Sequence, residues 1–340
     1  MRYADYSRAT VEDIVRIRRR LAAAEVPPRR TDHNLIVATW NLRAFSDVHP
    51  SWDENSGSPK RNWRAMASIA EIVRHFDVVA IQEVRRNTTA IRMLLEGFLG
   101  PDWGVLMSDV TAGDAGNSER LAFVYDRRRL EPSGLAGEIV LPPAASGDPM
   151  QQFDRTPYIV GFRAAEERFA LLTAHIKYGS LPADRIPELR NLARFTAQEI
   201  RDRSRARGAE ETNLIVLGDF NIDERTGNPL FDAFVETGLR VPEGILTQRT
   251  TYGSTAKYYD QIAWFMGADF TLRASGRSGV IDFVRAVFPE LTPEQMSYRV
   301  SDHFPLWVEF LTNRSSEQMA RVLGVNPDMP DPFAGVPDFP

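Results

Sequence analysis

Cysteine is absent from the 340-residue chain. That excludes a disulfide framework, a thiolate zinc or iron–sulfur site and a cysteine nucleophile, so any metal must rest on oxygen or imidazole ligands. Oxygen-rich sites suit Mg, Ca or Mn. An excess of basic residues is also lacking: 41 Lys and Arg face 46 Asp and Glu, for a formal charge of −5. This argues against a general basic coat for nucleic acid but leaves room for a local basic cleft. No run approaches the ~20 apolar residues that cross a bilayer. The start, MRYADYSRATVEDIVRIRRR, has no apolar stretch after its charges, so no secretory signal is expected. The cytoplasm is the default compartment, and neither membrane contact nor an obligate protein partner is expected.

What is present reads as an α/β protein. LIVATW, FDVVAIQEV, RLAFVYD, YIVGF, FALLTAHI, NLIVLGDF, YDQIAWF and FPLWVEF are short apolar runs bounded by turn or polar residues, as buried strands are. Helical patterns lie between several of them: NWRAMASIAEIVRHF, TTAIRMLLEGFL, the long LPADRIPELRNLARFTAQEIRDRSRAR, and a short one within 223–239. Strands alternating with helices imply sheets covered by helices. Three regions are expected: a helical extension over 1–33, one catalytic domain over 34–312, and a short helix with a Pro/Asp-rich tail over 313–340. In the extension, Thr10 is the expected cap, Val11, Ile14, Val15 and Leu21 fall at helical spacing, and Pro27-Pro28 ends the helix. Its Arg-rich face suits packing on the main domain or binding to a charged surface.

The informative feature is where the polar residues fall. LIVATW runs into Asn41, VVAIQ into Glu83, FALLTA into His175 and NLIVLG into Asp219, with Asn221 two residues on. Tyr258-Tyr259 leads into Asp260, and Ser301-Asp302-His303 precedes FPLWVEF. Ligand sites in α/β folds gather beyond strand ends, where rigid strands place side chains and loops leave room. Singly, each residue has an ordinary explanation: turn residues for Asn41 and Asn221, a helix-start acid for Glu83, an Asx turn for Asp219, a structural imidazole for His175. Together, Glu83, Asp219, Asp260 and Asp302 beside apolar strands would be costly unless their charge is offset. A shared cation offsets several at once. Carboxylates with carboxamides suit Mg²⁺ or Mn²⁺, with Ca²⁺ as a structural or co-activating ion.

ATWNLR, IQEV, TAHIKYG, LGDFN, YYDQI and SDHFP, in that order over residues 38–305, resemble the endonuclease/exonuclease/phosphatase superfamily. The resemblance implies a four-layered α/β sandwich, two mixed sheets packed face to face with helices outside, and metal-dependent cleavage of phosphoester bonds. Within the superfamily the chain is most similar to deoxyribonuclease I. That likeness implies that Glu119, in NSERLAFVYD, supports His175. It implies that Arg155, in FDRTPYIVGF, contacts the DNA backbone, and that Arg85 reaches into the minor groove. It pairs Asp260 with His303 and sets Tyr259 beside the site.

The expected chemistry follows. Glu83, Asn41 and Asp302 form the metal set. Asp219 and Asn221 form a second polar cluster that binds a second metal, orients water or holds a phosphate oxygen. The pairs His175–Glu119 and His303–Asp260 supply an acid and a base, since histidine exchanges protons near neutral pH; His303 is taken as the base and His175 as the acid. Arg85, Arg120 and Arg155 form the local basic cleft. The expected function is DNA cleavage by in-line attack of water. A phosphodiesterase or phosphatase acting on a phospholipid or inositol phosphate headgroup is the second reading, and an abasic-site endonuclease is less favoured. A non-catalytic binding protein on the same fold is disfavoured because no site position is substituted. His33, His49 and His75 are weaker candidates. Trp52 and Trp63, in the 47–63 loop, suit either packing or base stacking. Residues 276–300 read as a helical insertion where substrate choice is set.

Overall fold

Runs of Val, Ile and Leu extend because branched side chains pack well on a pleated surface. In the computed structural model they do so in two sheets. The structure describes all residues except 32, 54, 56, 112–116, 144–145, 148, 206–211, 267–269, 314, 327–328, 330–331 and 338–340. Numbered in chain order, the first sheet holds β1 (Asn34–Phe45), β2 (Val78–Arg85), β3 (Trp103–Met107), β4 (Glu119–Asp126), β11 (Arg273–Val280) and β12 (Leu306–Leu311). The second holds β5 (Glu131–Glu138), β6 (Tyr158–Ala164), β7 (Glu167–His175), β8 (Asn213–Asp219), β9 (Leu239–Arg240) and β10 (Asp260–Phe265). The orders are β11-β12-β1-β2-β4-β3 and β5-β6-β7-β8-β10-β9. Each sheet is mixed, with β1 parallel to β2 in one and β7 parallel to β8 in the other.

The helices are α1 (Arg8–Ala23), α2 (Trp63–Val73), α3 (Thr89–Arg92), α4 (Ile186–Arg205), α5 (Pro229–Val235), α6 (Glu243–Leu246), α7 (Pro293–Ser297) and α8 (Ser315–Leu323). α3 continues as a π-helical turn over Met93–Leu99. The inner faces of both sheets share one core, in which Trp40, Phe123, Phe162, Phe169, Ile262 and Phe310 are buried. A second core under α4 and α5 takes Leu189, Leu192, Phe220 and Phe234. This is the four-layered α/β sandwich expected from the sequence.

Several local expectations are corrected. Ser7, not Thr10, caps α1: its Oγ accepts the Thr10 N–H at 3.2 Å. Ile14, Ile17 and Leu21 are buried, whereas Val11 and Val15 are exposed. Within that helix Arg8, Arg16 and Arg18 form ion pairs, with Glu12, Asp13 and Glu71. Residues 276–300 are not a helical insertion. They finish β11 and reach only the short α7, after a loop. Trp52 and Trp63 pack edge to face with centroids 5.6 Å apart, against the main core. The end of the long helical pattern at 206–207 and much of the Pro/Asp-rich tail lie outside the described residues. No helix among the described residues is long and apolar enough to cross a membrane.

Candidate active site

Register assembles the site. β7 and β8 run parallel with His175 beside Asp219, and β10 runs antiparallel to β8 with Asp260 on its other side. Gly218 makes this possible. Its φ is +148°, and a Cβ there would lie 2.1 Å from the Ala174 carbonyl oxygen, so only glycine lets β8 approach β7 this closely. In the other sheet the β1–β2 pairing shifts register after Asn41 and resumes at Phe45, and an irregularity between Ile81 and Val84 holds Glu83 at φ +61°. Asn221 has φ +51°. A left-handed glutamate is uncommon and costs stability, so the surrounding bonds must hold it. Bulges of this kind re-aim side chains next to active sites.

Asp219 is the centre. Its Oδ1 accepts the Asn221 N–H at 3.0 Å and its Oδ2 accepts the Asn41 carboxamide at 3.0 Å. The same carboxamide donates to Glu83 Oε1 at 3.0 Å. His175 Nε2 and His303 Nε2 lie 3.6 and 3.8 Å from Asp219 Oδ2. Both rings are locked from behind: His175 Nδ1 lies 2.8 Å from Glu119 Oε2, and His303 Nδ1 lies 2.8 Å from Asp260 Oδ2. A carboxylate at Nδ1 fixes which nitrogen faces the substrate. Tyr259 stands beside this pair, its ring centroid 5.9 Å from that of His303.

The remaining expected residues divide. Arg155 Nε is 2.9 Å from Glu119 Oε2, and its Nη1 is buried with no hydrogen-bond partner. Arg85 is held against the site rather than turned outward: it lies 3.3 Å from Glu119 and 3.4 Å from Glu83, and donates to the Asn117 carbonyl at 2.6 Å. Asp302 is 34% exposed at its side chain and pairs with Arg43 at 3.3 Å. Arg120, across the strand from Glu119's face, instead reaches the Arg86 carbonyl at 3.2 Å. His33 contacts the Thr31 carbonyl, and His75 the Glu71 carbonyl within its own helix. His49 sits in a bridge with Asn62.

Arginines and acids that sequence reasoning passed over hold the loops. Arg61 is buried and donates to five carbonyls, of Leu42, Arg43, Ala44, Arg299 and Val300. Arg225 donates to Gln261 Oε1 and to the carbonyls of Asp260 and Gln248, at 2.8 to 2.9 Å. Glu188 accepts the backbone N–H groups of Asp154 and Lys177, at 2.6 and 2.9 Å. Gln82, Thr39 and Thr173 form a buried polar tie beneath the site, with bonds of 3.0 Å linking the two sheets. None had a sequence signal, because arginine and glutamate at helix starts and in loops look like solvent-facing residues.

The electrostatics suit a cation. Burial alone would raise Glu83, but the charge of His175, the Ala44 N–H, the Asn41 carboxamide and Arg85 bring it down to about 2, so it is ionised at neutral pH. Asp219, Asp260 and His303 place ligand atoms within 4.8 Å of one another, and Asp260 Oδ1 is buried without a hydrogen-bond partner. An ionised Glu83 joined through the Asn41 carboxamide to Asp219 fits a hard divalent ion.

Burial disfavours charge on both histidines, yet the acids prevail. The bond to Glu119 and the charge of Asp219 raise His175, and Asp260 with Asp219 raises His303 well above the ordinary value. His75 is lowered, because burial outweighs its bond to the Glu71 carbonyl. In the metal-free protein, ¹⁵N-detected NMR should therefore show His175 and His303 titrating above ~6.5, and His75 below it. For the first two, the folded state binds protons more tightly. Their stabilisation is complete below the unfolded value and is lost as pH rises through the folded one. A site imidazole titrating at or below the free value would contradict this electrostatic picture.

Two imidazoles locked by acids over ionised oxygen donors are the equipment of a phosphoester hydrolase. Residues 38–308 match the Endonuclease/Exonuclease/phosphatase family, and the chain belongs to it. It is a hydrolase acting on phosphoester bonds, in a metal-dependent family. A protein named Deoxyribonuclease from Thioalkalivibrio sp. (strain K90mix) is 30% identical over 290 residues, covering 82% of this chain and 72% of that one. Among solved structures, an endonuclease/exonuclease/phosphatase family protein from Bacteroides thetaiotaomicron superposes with a TM-score of 0.55 at 20% identity, covering 82% of this chain and 95% of that one. A mannosyl-6-phosphatase from Bacteroides thetaiotaomicron VPI-5482 superposes at 0.53 and 18% identity, covering 81% and 99%. These likenesses establish the fold and leave the substrate to the site.

Proposed function

We propose that this protein is a Mg²⁺-dependent endonuclease that cleaves DNA by in-line attack of water, its catalytic unit spanning 34–312. The observation that carries the reading is the pair of acid-locked histidines, both with Nε2 within 4 Å of one Asp219 oxygen. A phosphate held between them would meet a proton acceptor on one side and a donor on the other. Glu83, Asn41 and Asp302, with Asp219 beside them, would hold the ion, which when bound offsets charge developing on the phosphoryl oxygens. Buried Arg155 Nη1, lacking a partner, is available to a phosphate oxygen. The 30% identical relative's name supports DNA as the substrate.

We give His303 the part of the base and His175 that of the acid, as the sequence suggests. Each ring is faced by its own carboxylate and by Asp219, so the order is set by experiment rather than by the symmetric surroundings.

Supercoiled plasmid incubated with the purified protein and Mg²⁺ should be nicked, and EDTA should abolish the nicking. Glu83→Gln should weaken it. Turnover of sphingomyelin or phosphoinositide vesicles without plasmid cleavage would replace this reading with the lipid one.

A further inference from the structure

Among the described residues, three aromatic side chains are exposed: Tyr3, Tyr178 and Tyr298. Tyr3 is accounted for by its hydroxyl bond to Glu71 at 2.7 Å, away from the site. The other two are at the site, one attached to each sheet's half of it. Tyr178 follows His175 by three residues and is 56% exposed. The Arg185 guanidinium lies 4.2 Å from its ring centroid. Arg185 is itself buried and fixed, donating to the carbonyls of Tyr178 and Asn221 and to Asp223 at 2.5 to 2.9 Å. Tyr178 also meets Tyr259 edge to face, with centroids 6.2 Å apart, and Tyr259 leads to His303.

The second arrangement repeats the first ahead of β12, in the other sheet. Tyr298 is 52% exposed, with the Arg43 guanidinium 4.0 Å from its ring centroid. Arg43 is two residues beyond Asn41 and is held by Ser297 Oγ at 2.6 Å and Asp302 at 3.3 Å. A guanidinium beneath a ring holds its plane. The open part of that ring is a flat, sequence-tolerant surface on which a base stacks.

We propose that Tyr178 and Tyr298, each seated on a fixed guanidinium, are stacking platforms for the two nucleobases that flank the scissile phosphodiester, so that the strand cut is unpaired at the cut. The inference rests on the nuclease reading. It follows from the placement: a phosphodiester joins two nucleosides, and the two platforms lie three residues beyond His175 and five residues before His303. Bases inside a duplex are already stacked on their neighbours and must leave the helix to reach such a surface. Arg85, the residue expected to enter a minor groove, is instead tied to Glu83 and Glu119.

The test uses the full chain and an oligonucleotide carrying 2-aminopurine, as a single strand and as its duplex. In EDTA, wild type should bind the single strand and quench the probe. Tyr178→Ala and Tyr298→Ala should each weaken binding, and lower kcat/KM with Mg²⁺ mainly through KM, by roughly five- to 150-fold. Tyr178→Trp and Tyr298→Trp should retain wild-type behaviour, and circular dichroism would show that all four variants fold. The single strand should be cut faster than the duplex. Duplex cleavage at an equal or higher rate, or alanine variants that bind and quench like wild type, would overturn the platforms while leaving a nuclease. Binding and quenching by wild type without cleavage under any ion would break the nuclease reading and remove the scissile bond from the assignment.

Discussion

Replacing either His175 or His303 with alanine should lower turnover on DNA by roughly 10²–10⁴-fold. Each imidazole is buried, locked through Nδ1 by its own carboxylate, and aimed through Nε2 at the same oxygen of Asp219. Removing one takes away a proton carrier whose orientation the fold has already fixed; Glu119 would keep its pairing with Arg155, whereas Asp260 would lose its imidazole partner in a buried site. The two variants should differ on bis-p-nitrophenyl phosphate. Its leaving group departs readily as an anion, so loss of the general acid matters little, whereas loss of the base matters as much as on DNA. His175→Ala should therefore be far milder on this ester than on plasmid, and His303→Ala about equally severe on both. The reverse pattern would exchange the two parts. Near-normal turnover by either variant on DNA would end the two-histidine scheme. Glu119→Gln or Asp260→Asn should reproduce a smaller share of the same loss, because an uncharged partner orients the ring without raising its proton affinity.

How much of this was legible in the sequence depends on where a residue lies in a sheet. The eight apolar runs became β1, β2, β4, β6, β7, β8, β10 and β12, the interior strands of the two sheets. The four strands that escaped notice, β3, β5, β9 and β11, are the four edges. An interior strand is buried on both faces and reads as continuous hydrophobicity. An edge strand is half exposed and carries residues that blunt pairing, as EPSGLAGE and RASGRSGV do. The site followed the same logic: Asn41, Glu83, His175 and Asp219 stand out because they follow the apolar runs of interior strands. The buried loop-holding Arg61 and Arg225 did not stand out, and the cleft expected of Arg85, Arg120 and Arg155 is only partly met. Arg120 sits one residue from Glu119, and alternation along a strand sends it to the other face. Asp302 was read as a metal ligand from its motif, and its pairing with Arg43 depends on a backbone turn that no local pattern encodes. Tyr178 and Tyr298 were invisible as a pair, because their common feature is a guanidinium contributed from elsewhere in the chain.

Arg61→Ala should destabilise the protein by about 3–5 kcal/mol, the largest structural effect we expect from one surface-like residue type. Burial of a guanidinium is costly, and here it lowers Arg61 from the ordinary 12.5 to about 10, still protonated at neutral pH. Its N–H groups reach five carbonyls at 2.8 to 3.1 Å, three of which share the two N–H groups of Nη2. Alanine would leave those buried carbonyls without this donor, the costly kind of loss. Arg61→Lys should recover little, because an ammonium has three donors and no fork with which to span both segments. Those segments are the end of β1, where Asn41 lies, and residues 299–300, just before Asp302 and His303. Loss of the tie should therefore also lower kcat at temperatures where the variant remains folded. Urea denaturation followed by tryptophan fluorescence gives the stability. A midpoint unchanged from wild type at an unchanged slope would show that the carbonyls find water or one another, and that the arginine is dispensable to the loops it joins.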